Sequence, residues 1–324
     1  MKNIIIQTMA KDEDHIVNEF IVHNVLLGIE HIYIYDDGSS LSISEKIKEL
    51  PVWIQNKVTV YRLDENKNFY EREVFEKSDY YDVDIYNKYK KRKQLYFMNY
   101  FLKHHKNISK WCFFTDVDEF IYLKDSYTID NFLSEYDEYD SIFIPWIYFG
   151  SSYHITQPDG LVIDRFRYHC DHYAISGKSI CKLSITNIDC VHKISKNINK
   201  YIFNSSEKLY NLPIHINHYI VNSVKMYITR KLRNNIGQEN GGVRASNGYY
   251  NILCSLNQIH DNIMDKYVYE VNKILKKDVS NNNNITANNA GNLLKLNGEI
   301  VYSCDTHEKL LEILNSDDVE YCNV

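Results

Sequence analysis

Asp116 and Asp118 stand one residue apart, behind the run Trp111-Cys112-Phe113-Phe114-Thr115 and directly before Glu119. Carboxylates two positions apart project to the same side of an extended chain. Two hard oxygen ligands aimed at one point suit Mg2+ or Mn2+, an ion that also holds a substrate phosphate. The preceding aromatic and apolar run reads as a strand buried on both faces, and carboxylates are costly to bury unless something cationic meets them. A solvated strand end would carry similar acids for solubility alone; the buried strand before them favours the metal site.

The elements that must position this pair alternate. Asn3–Thr8 is a β-branched run and reads as a central strand. Ile16, Val17, Phe20, Ile21 and Leu27 follow at helical spacing, with Gly28 as the stop. His31–Tyr35 is a second strand, so the pair forms a parallel β-α-β unit with a right-handed crossover. A helix through 42–50, a strand at Val58–Arg62 and a helix from Tyr89 to His104 continue the pattern, and the segment 64–90 reads as a mobile loop over the site. Thr128 is placed to cap a helix Ile129–Tyr136, and Asp140–Trp146 is another strand. Val162–Arg167, Ser179–Ile185, Cys190–Ile194 and Pro213–Ile220 read as antiparallel additions to the sheet, with helices at Asn222–Asn234 and Ile259–Lys276. The expected organisation is one domain over 1–278, then the Asn-rich stretch near 281–284 and a small strand-helix-strand appendage, together 279–324.

Composition bounds the partners. The chain has 324 residues and a net charge of −6, which gives no support to nucleic-acid binding. Its 7 cysteines are scattered, odd in number and without a C-x-x-C, which speaks for reduced thiols rather than a disulfide framework or zinc ribbon. No apolar run reaches the roughly 18 residues that span a bilayer, and the N-terminus enters a strand without a signal-peptide pattern. The expectation is a cytoplasmic protein with no integral membrane segment. Neither G-x-x-x-x-G-K-[ST] nor G-x-G-x-x-G occurs, so a Walker NTPase and a dinucleotide oxidoreductase are both unsupported.

In open α/β sheets ligands sit beyond the carboxyl ends of strands. Thr8, Lys11, Asp36 and Asp37 fall there together with the acidic pair. This edge suits a nucleotide whose base and ribose lie over the first loops and whose diphosphate reaches a metal. Asp36 or Asp37 is placed to accept from a uracil or ribose donor, or to close an Asx turn before Gly38. Arg92, at a helix start, is within reach of phosphate or base, unless it belongs to a solvated basic face. Ser151, Ser152 and His154 follow Phe149-Gly150, either as a plain turn or as contacts to the sugar or acceptor.

Several segments in order resemble the metal-dependent GT-A glycosyltransferases of the family 2-like and family 92 group. They are Lys11-Asp12-Glu13, Glu19-Phe20, His23, Gly28 and His31–Ser39; then Trp111–Phe120; then Pro145-Trp146 with Phe149–Ser152; then Ile216–Tyr219, Ser223 and Lys231; and finally Asn262 with Asp265. Phe20 stands where that group usually has Trp, and the segment between Gly38 and Arg92 matches no motif. The resemblance covers about residues 3–270. It implies a Rossmann-like GT-A fold, a mixed, mostly parallel sheet with helices on both faces. It further implies divalent-metal-dependent transfer of a hexose from a UDP-galactose or UDP-glucose type donor to a glycan or other hydroxyl acceptor.

On that reading Asp118 binds the metal directly and Asp116 bridges to ribose or metal through water. A histidine from the C-terminal half completes the site, His218 first, with His192 and His215 behind it. Lys182 and Lys225 are candidates for the diphosphate. Inverting transfer needs a base on the acceptor side, for which Glu119, Asp159, Asp171 and Asp265 are all eligible. Two alternatives stand against this reading. A nucleotidyltransferase of sugar phosphates needs a Gly-rich, Arg-containing loop after the first strand, which Thr8–Glu13 lacks. A catalytically inactive glycan-binding relative has no use for intact buried acids.

Overall fold

The structure is a computed structural model that describes residues 2–63, 69–154, 156–194, 199–203, 207–223, 225–227 and 256–276, and three short strands at 293–296, 299–301 and 319–322. Its centre is a nine-stranded sheet. In chain order the strands are β1 Lys2–Ala10, β2 His31–Asp36, β3 Val58–Arg62, β4 Ser109–Phe114, β5 Glu119–Leu123 and β6 Ser141–Tyr148. The short pair member β7 Tyr168–His169 is followed by β8 Gly177–Lys182, β9 Lys200–Ile202 and β10 Ile214–His218.

Across the sheet the order is β3-β2-β1-β4-β8-β6-β10-β5, with β9 beside the start of β6. β1, β2, β3 and β4 pair in parallel, as do β6 and β10, whereas β8 runs antiparallel to both β4 and β6, and β5 antiparallel to β10. The carboxyl ends of the forward strands therefore share one edge with the amino ends of the two reversed ones. That edge carries Ala10, Asp36, Phe114, Tyr148 and His218 from the first kind, and Glu119 and Lys178 from the second.

Both faces are covered. β1 alternates, sending Ile4, Ile6 and Ala10 to one core and Ile5 and Met9 to the other. The first core holds the helix Val17–Leu26, the helix Ile129–Glu135 and the helix Asp265–Leu275, with Phe20 edge-on to Phe120 at 6.0 Å. Thr128 caps its helix through a reciprocal bond with Asn131, as the sequence suggested. The second core holds the helix Lys93–His104, whose Leu95, Phe97, Met98 and Phe101 are buried. The mixed, mostly parallel sheet with helices on both sides is the architecture that the resemblance implied.

Five local expectations fail, each for a reason of packing. Residues 69–90 are not a loop: Phe69, Phe75 and Tyr86 are buried against Tyr96 and Phe97, and two short helices, Arg72–Phe75 and Val83–Tyr89, carry them. The segment over 42–50 is broken into a helical turn at Ile43–Lys46 and a tighter one at Ile47–Glu49 before Pro51. Val162–Arg165 is a helical turn rather than a strand, because the buried Glu19 carboxylate accepts from the backbone N–H groups of Val162 and Ile163 at 2.8 and 2.9 Å. Cys190–Ile194 has no strand partner among the described residues. The last helix starts at Asp265, not Ile259, since β11 Ile259–His260 pairs with β7 instead.

At the C-terminus β12 Leu293–Leu296 pairs antiparallel with β13 Glu299–Val301 and with β14 Val319–Cys322. Of the helix expected over Asn222–Asn234, residues 225–227 are helical and 228–234 lie outside the described residues, as do the helix expected between these strands and the Asn-rich run. Among the described residues no helix is long and apolar enough to cross a membrane.

Candidate active site

Asp116 and Asp118 do not lie on an extended strand. β4 ends at Phe114, and the backbone N–H of Glu119 donates to the Asp116 carbonyl at 3.2 Å, closing a tight turn before β5. The two carboxylates meet different partners, Asp116 facing Lys178 and Gln94 and Asp118 facing His218. Glu119 fastens the turn from within: its Oε2 accepts from Thr115 Oγ1 at 2.7 Å and from the Asp116 N–H at 3.1 Å.

Asp118 turns toward β10, where its Oδ1 lies 3.7 Å from His218 Nε2. Asp118, Glu119 and His218 each offer a ligand atom within 4.8 Å of the others, and all three are buried. His218 is held by its ring contact with Trp146 at 4.5 Å. Glu119 Oε1 and His218 Nδ1 are buried without a hydrogen-bond partner among the described residues. Burial pushes the Glu119 carboxyl up to about 7, against the opposing pull of the Lys178 ammonium. Two carboxylates and an imidazole, each with a ligand atom within 4.8 Å of the others, form a donor set that suits Mn2+ or Mg2+.

Asp116 is about one-third exposed. Its Oδ2 accepts from Lys178 Nζ at 2.8 Å and its Oδ1 from Gln94 Nε2 at 2.7 Å. Lys178 is fully buried and lies 3.7 Å from Glu119 Oε1. Desolvation alone would lower its ammonium, but Asp116 and Glu119 outweigh that and hold it above the ordinary lysine value. Nothing in the sequence separates Lys178 from the other lysines except its place behind Gly177. An added Cβ on that glycine would lie 2.0 Å from the Ile144 carbonyl oxygen, a close approach that sets the amino end of β8 against β6.

The first loops meet this cluster from the side. Asp36 is fully buried and used up by its own fold: its carboxylate accepts from the N–H groups of Ser39 and Ile43 at 2.9 and 3.2 Å and pairs with Arg62 at 2.6 Å. Asp37 is the outward member, ion-paired with Lys93. Arg92 is exposed, and its neighbours Lys93 and Gln94 make the contacts to Asp37 and Asp116. Thr8 is buried, its hydroxyl without a hydrogen-bond partner among the described residues, Lys11 is exposed, and Asp12 and Ser39 stitch the two loops together. Ser152 and Tyr153 both adopt left-handed backbone. Asn257 holds that loop by accepting from the Ser152 N–H at 2.9 Å, while Ser152 Oγ accepts from the Tyr168 N–H.

Other candidates fall elsewhere. His192 stands edge-on to Trp146, and burial lowers it to about 4. His215 lies on the opposite face of β10 from His218, stacked on Tyr122 at 4.6 Å. His154 packs against Phe166. Lys182 ends β8 at the far edge of the sheet, bonded to the Asp137 carbonyl, and Lys225 is exposed. Asp265 pairs with Arg167 at 2.7 Å, Asp171 pairs with His172 at 2.6 Å, and Asp159 is exposed; none of the three joins the cluster. Glu119 alone among the four proposed bases lies inside it.

The structure of HddC from Yersinia pseudotuberculosis is similar at 8% identity and a TM-score of 0.34, over 63% of this chain and 90% of that one. A putative glucose-1-phosphate thymidylyltransferase from Bacillus anthracis in complex with a sucrose gives 9%, 0.28, 56% and 72%. Likeness at this level carries no argument for function. No curated protein matches the chain significantly. The family model of glycosyltransferase family 92 matches residues 6–286. That span takes in the main sheet from within β1 onward, the acidic turn and His218, and the chain belongs to glycosyltransferase family 92.

Proposed function

We propose that this glycosyltransferase moves a hexose from a UDP-hexose donor to a glycan or other hydroxyl acceptor, and that it needs Mn2+ or Mg2+ to do so. The observation that carries the metal requirement is the buried set of Asp118, Glu119 and His218, with Glu119 Oε1 and His218 Nδ1 lacking a hydrogen-bond partner among the described residues. These three residues would hold the ion. When bound, the ion supplies charge neutralisation for the departing diphosphate.

The remaining work falls to side chains around it. Asp37 and Lys93 stand where the β1 and β2 loops meet the helix start, and they orient the nucleoside. Asp116 accepts from the ribose while Lys178 and Gln94 fix its carboxylate. Ser151 and Ser152, on the loop after β6, line the sugar side. The proposed course is inversion, with the acceptor hydroxyl deprotonated on the face of the sugar away from the diphosphate.

Incubating the protein with a panel of nucleotide sugars, with Mn2+ and with excess chelator, tests the reading. Metal-dependent release of UDP is expected, and proton NMR of the product should show the anomer opposite to that of the donor. Full turnover under chelation would overturn the metal requirement, and turnover confined to non-uridine donors would overturn the nucleotide.

A further inference from the structure

Lys178 is a fully buried ammonium that the proposed chemistry does not itself consume. It enters from β8, a strand that runs opposite to its neighbours, and its side chain ends between Asp116 at 2.8 Å and Glu119 at 3.7 Å. Three carboxylates, Asp116, Asp118 and Glu119, crowd this corner of the sheet. One ammonium against three carboxylates leaves an excess of acidic groups, which a divalent cation offsets. The geometry also divides the acids. Lys178 and Gln94 together hold both oxygens of Asp116, whereas Glu119 Oε1 lies beyond hydrogen-bond distance of Lys178.

We propose that Lys178 is a positioning residue that keeps Asp116 out of the cation's ligand set and tunes the affinity of Asp118, Glu119 and His218 for one divalent ion. This rests on the metal reading above and deepens it. Without the ammonium, Asp116 is free to swing toward the other two carboxylates, and a repelling positive charge is gone. Bare Mn2+ then binds more tightly, and Asp116 is no longer held for a nucleotide. A purely structural lysine predicts the reverse, since a loosened site binds metal more weakly.

The test is titration of the full-length protein with Mn2+ alone, followed by calorimetry and by the Mn2+ paramagnetic resonance spectrum. Lys178→Met should tighten Mn2+ binding by about tenfold or more, the direction expected when a unit charge within a few ångströms is removed from a buried site. Its spectrum should change, because a further carboxylate joins the ligands. Lys178→Arg, which keeps the charge, should stay within about threefold of wild type. The double variant Lys178→Met/Asp116→Asn removes both ends of the ion pair and conserves net charge. It should also return to within about threefold, and it keeps the test open if the single variant does not fold. Unchanged or weakened Mn2+ binding in Lys178→Met, or a double variant that stays tenfold tighter, overturns the role of Lys178. Failure of the wild-type protein to bind Mn2+ saturably overturns the metal reading instead, so the two failures are distinguishable.

Discussion

Glu119 and His218 are register partners across the antiparallel β5–β10 ladder, the first residue of one strand facing the last residue of the other. Directly opposed side chains start from Cβ atoms about 5 Å apart, so the ladder itself sets the spacing of two of the three proposed metal ligands. Asp118 joins them from the adjoining turn. A site held by sheet hydrogen bonds is rigid before any ligand arrives, which favours precise coordination.

Asp118→Asn is expected to lower metal-dependent UDP release by about a thousandfold. Two unit charges about 4 Å apart interact by roughly 4 kcal/mol at an effective dielectric near 20, which corresponds to that factor in rate. The melting temperature of the metal-free protein should move little, since one member of a crowded acidic set becomes neutral. Parallel activity and thermal-unfolding measurements check both halves; a large drop in melting temperature would mean the loss of rate reports misfolding.

Mn2+ and UDP together, each at about 100 times its dissociation constant, should stabilise the wild-type protein by at least about 2.7 kcal/mol. His218→Ala should lose most of the Mn2+-dependent part. His215→Ala should keep it, because that ring lies on the other face of β10. Equal losses in the two variants would contradict the assignment of His218.

The neighbours Asp36 and Asp37 are expected to behave differently. Asp36→Asn leaves Arg62 facing an amide and upsets the acceptors for Ser39 and Ile43, so it should cost about 2 kcal/mol in urea unfolding. The donor KM of its folded fraction should be unchanged. Asp37→Asn should spare stability and raise the donor KM by about tenfold. The reverse pattern would reassign the nucleotide contact to Asp36.

His23 is expected to make the protein sensitive to acid. The ring is fully buried, its Nε2 donates to the Ile121 carbonyl at 2.8 Å, and burial lowers its pKa to about 4 from 6.5. A native pKa below the unfolded value means that unfolding takes up a proton. The stabilisation is therefore present above about pH 6.5 and lost as pH falls toward 4. It amounts to about 3 kcal/mol at 1.36 kcal/mol per pKa unit. Urea midpoints at pH 7, 5.5 and 4 should show a shallower decline for His23→Gln than for wild type.

Gly177→Ala should destabilise the protein by about 2 kcal/mol, since the new methyl meets the Ile144 carbonyl oxygen at 2.0 Å and the strands must part. The same displacement moves Lys178, so Mn2+ affinity should change along with stability. A melting temperature equal to wild type would show that β8 yields without cost.

Much of the fold was legible along the chain because its determinants are local. The β-branched runs of β1 and β2, the helical spacing of Ile16 to Leu27 and the aromatic run of β4 each declare their element within a few residues. The aromatic run also announced that the acids after Phe114 stand at a buried strand end. What the sequence left open depends on partners distant in the chain. Val162–Arg165 coils because Glu19 reaches its N–H groups, and Ile259–His260 extends because Tyr168 and His169 offer a ladder. Residues 69–90 fold because Tyr96 and Phe97 give their aromatics a surface.

The site divides in the same way. Sequence alone determined that acids stand behind β4, at the edge where the strands end, and on them the proposed metal and nucleotide contacts rest. Tertiary structure decided which side chains share that edge. The reversal of β5 and β8 carries Glu119 and Lys178 there by their amino ends, and pairing with β6 and β5 brings His218. The physical reason is that strand direction and neighbour choice are set by long-range packing, whereas residue spacing reports only the next turn or two of chain.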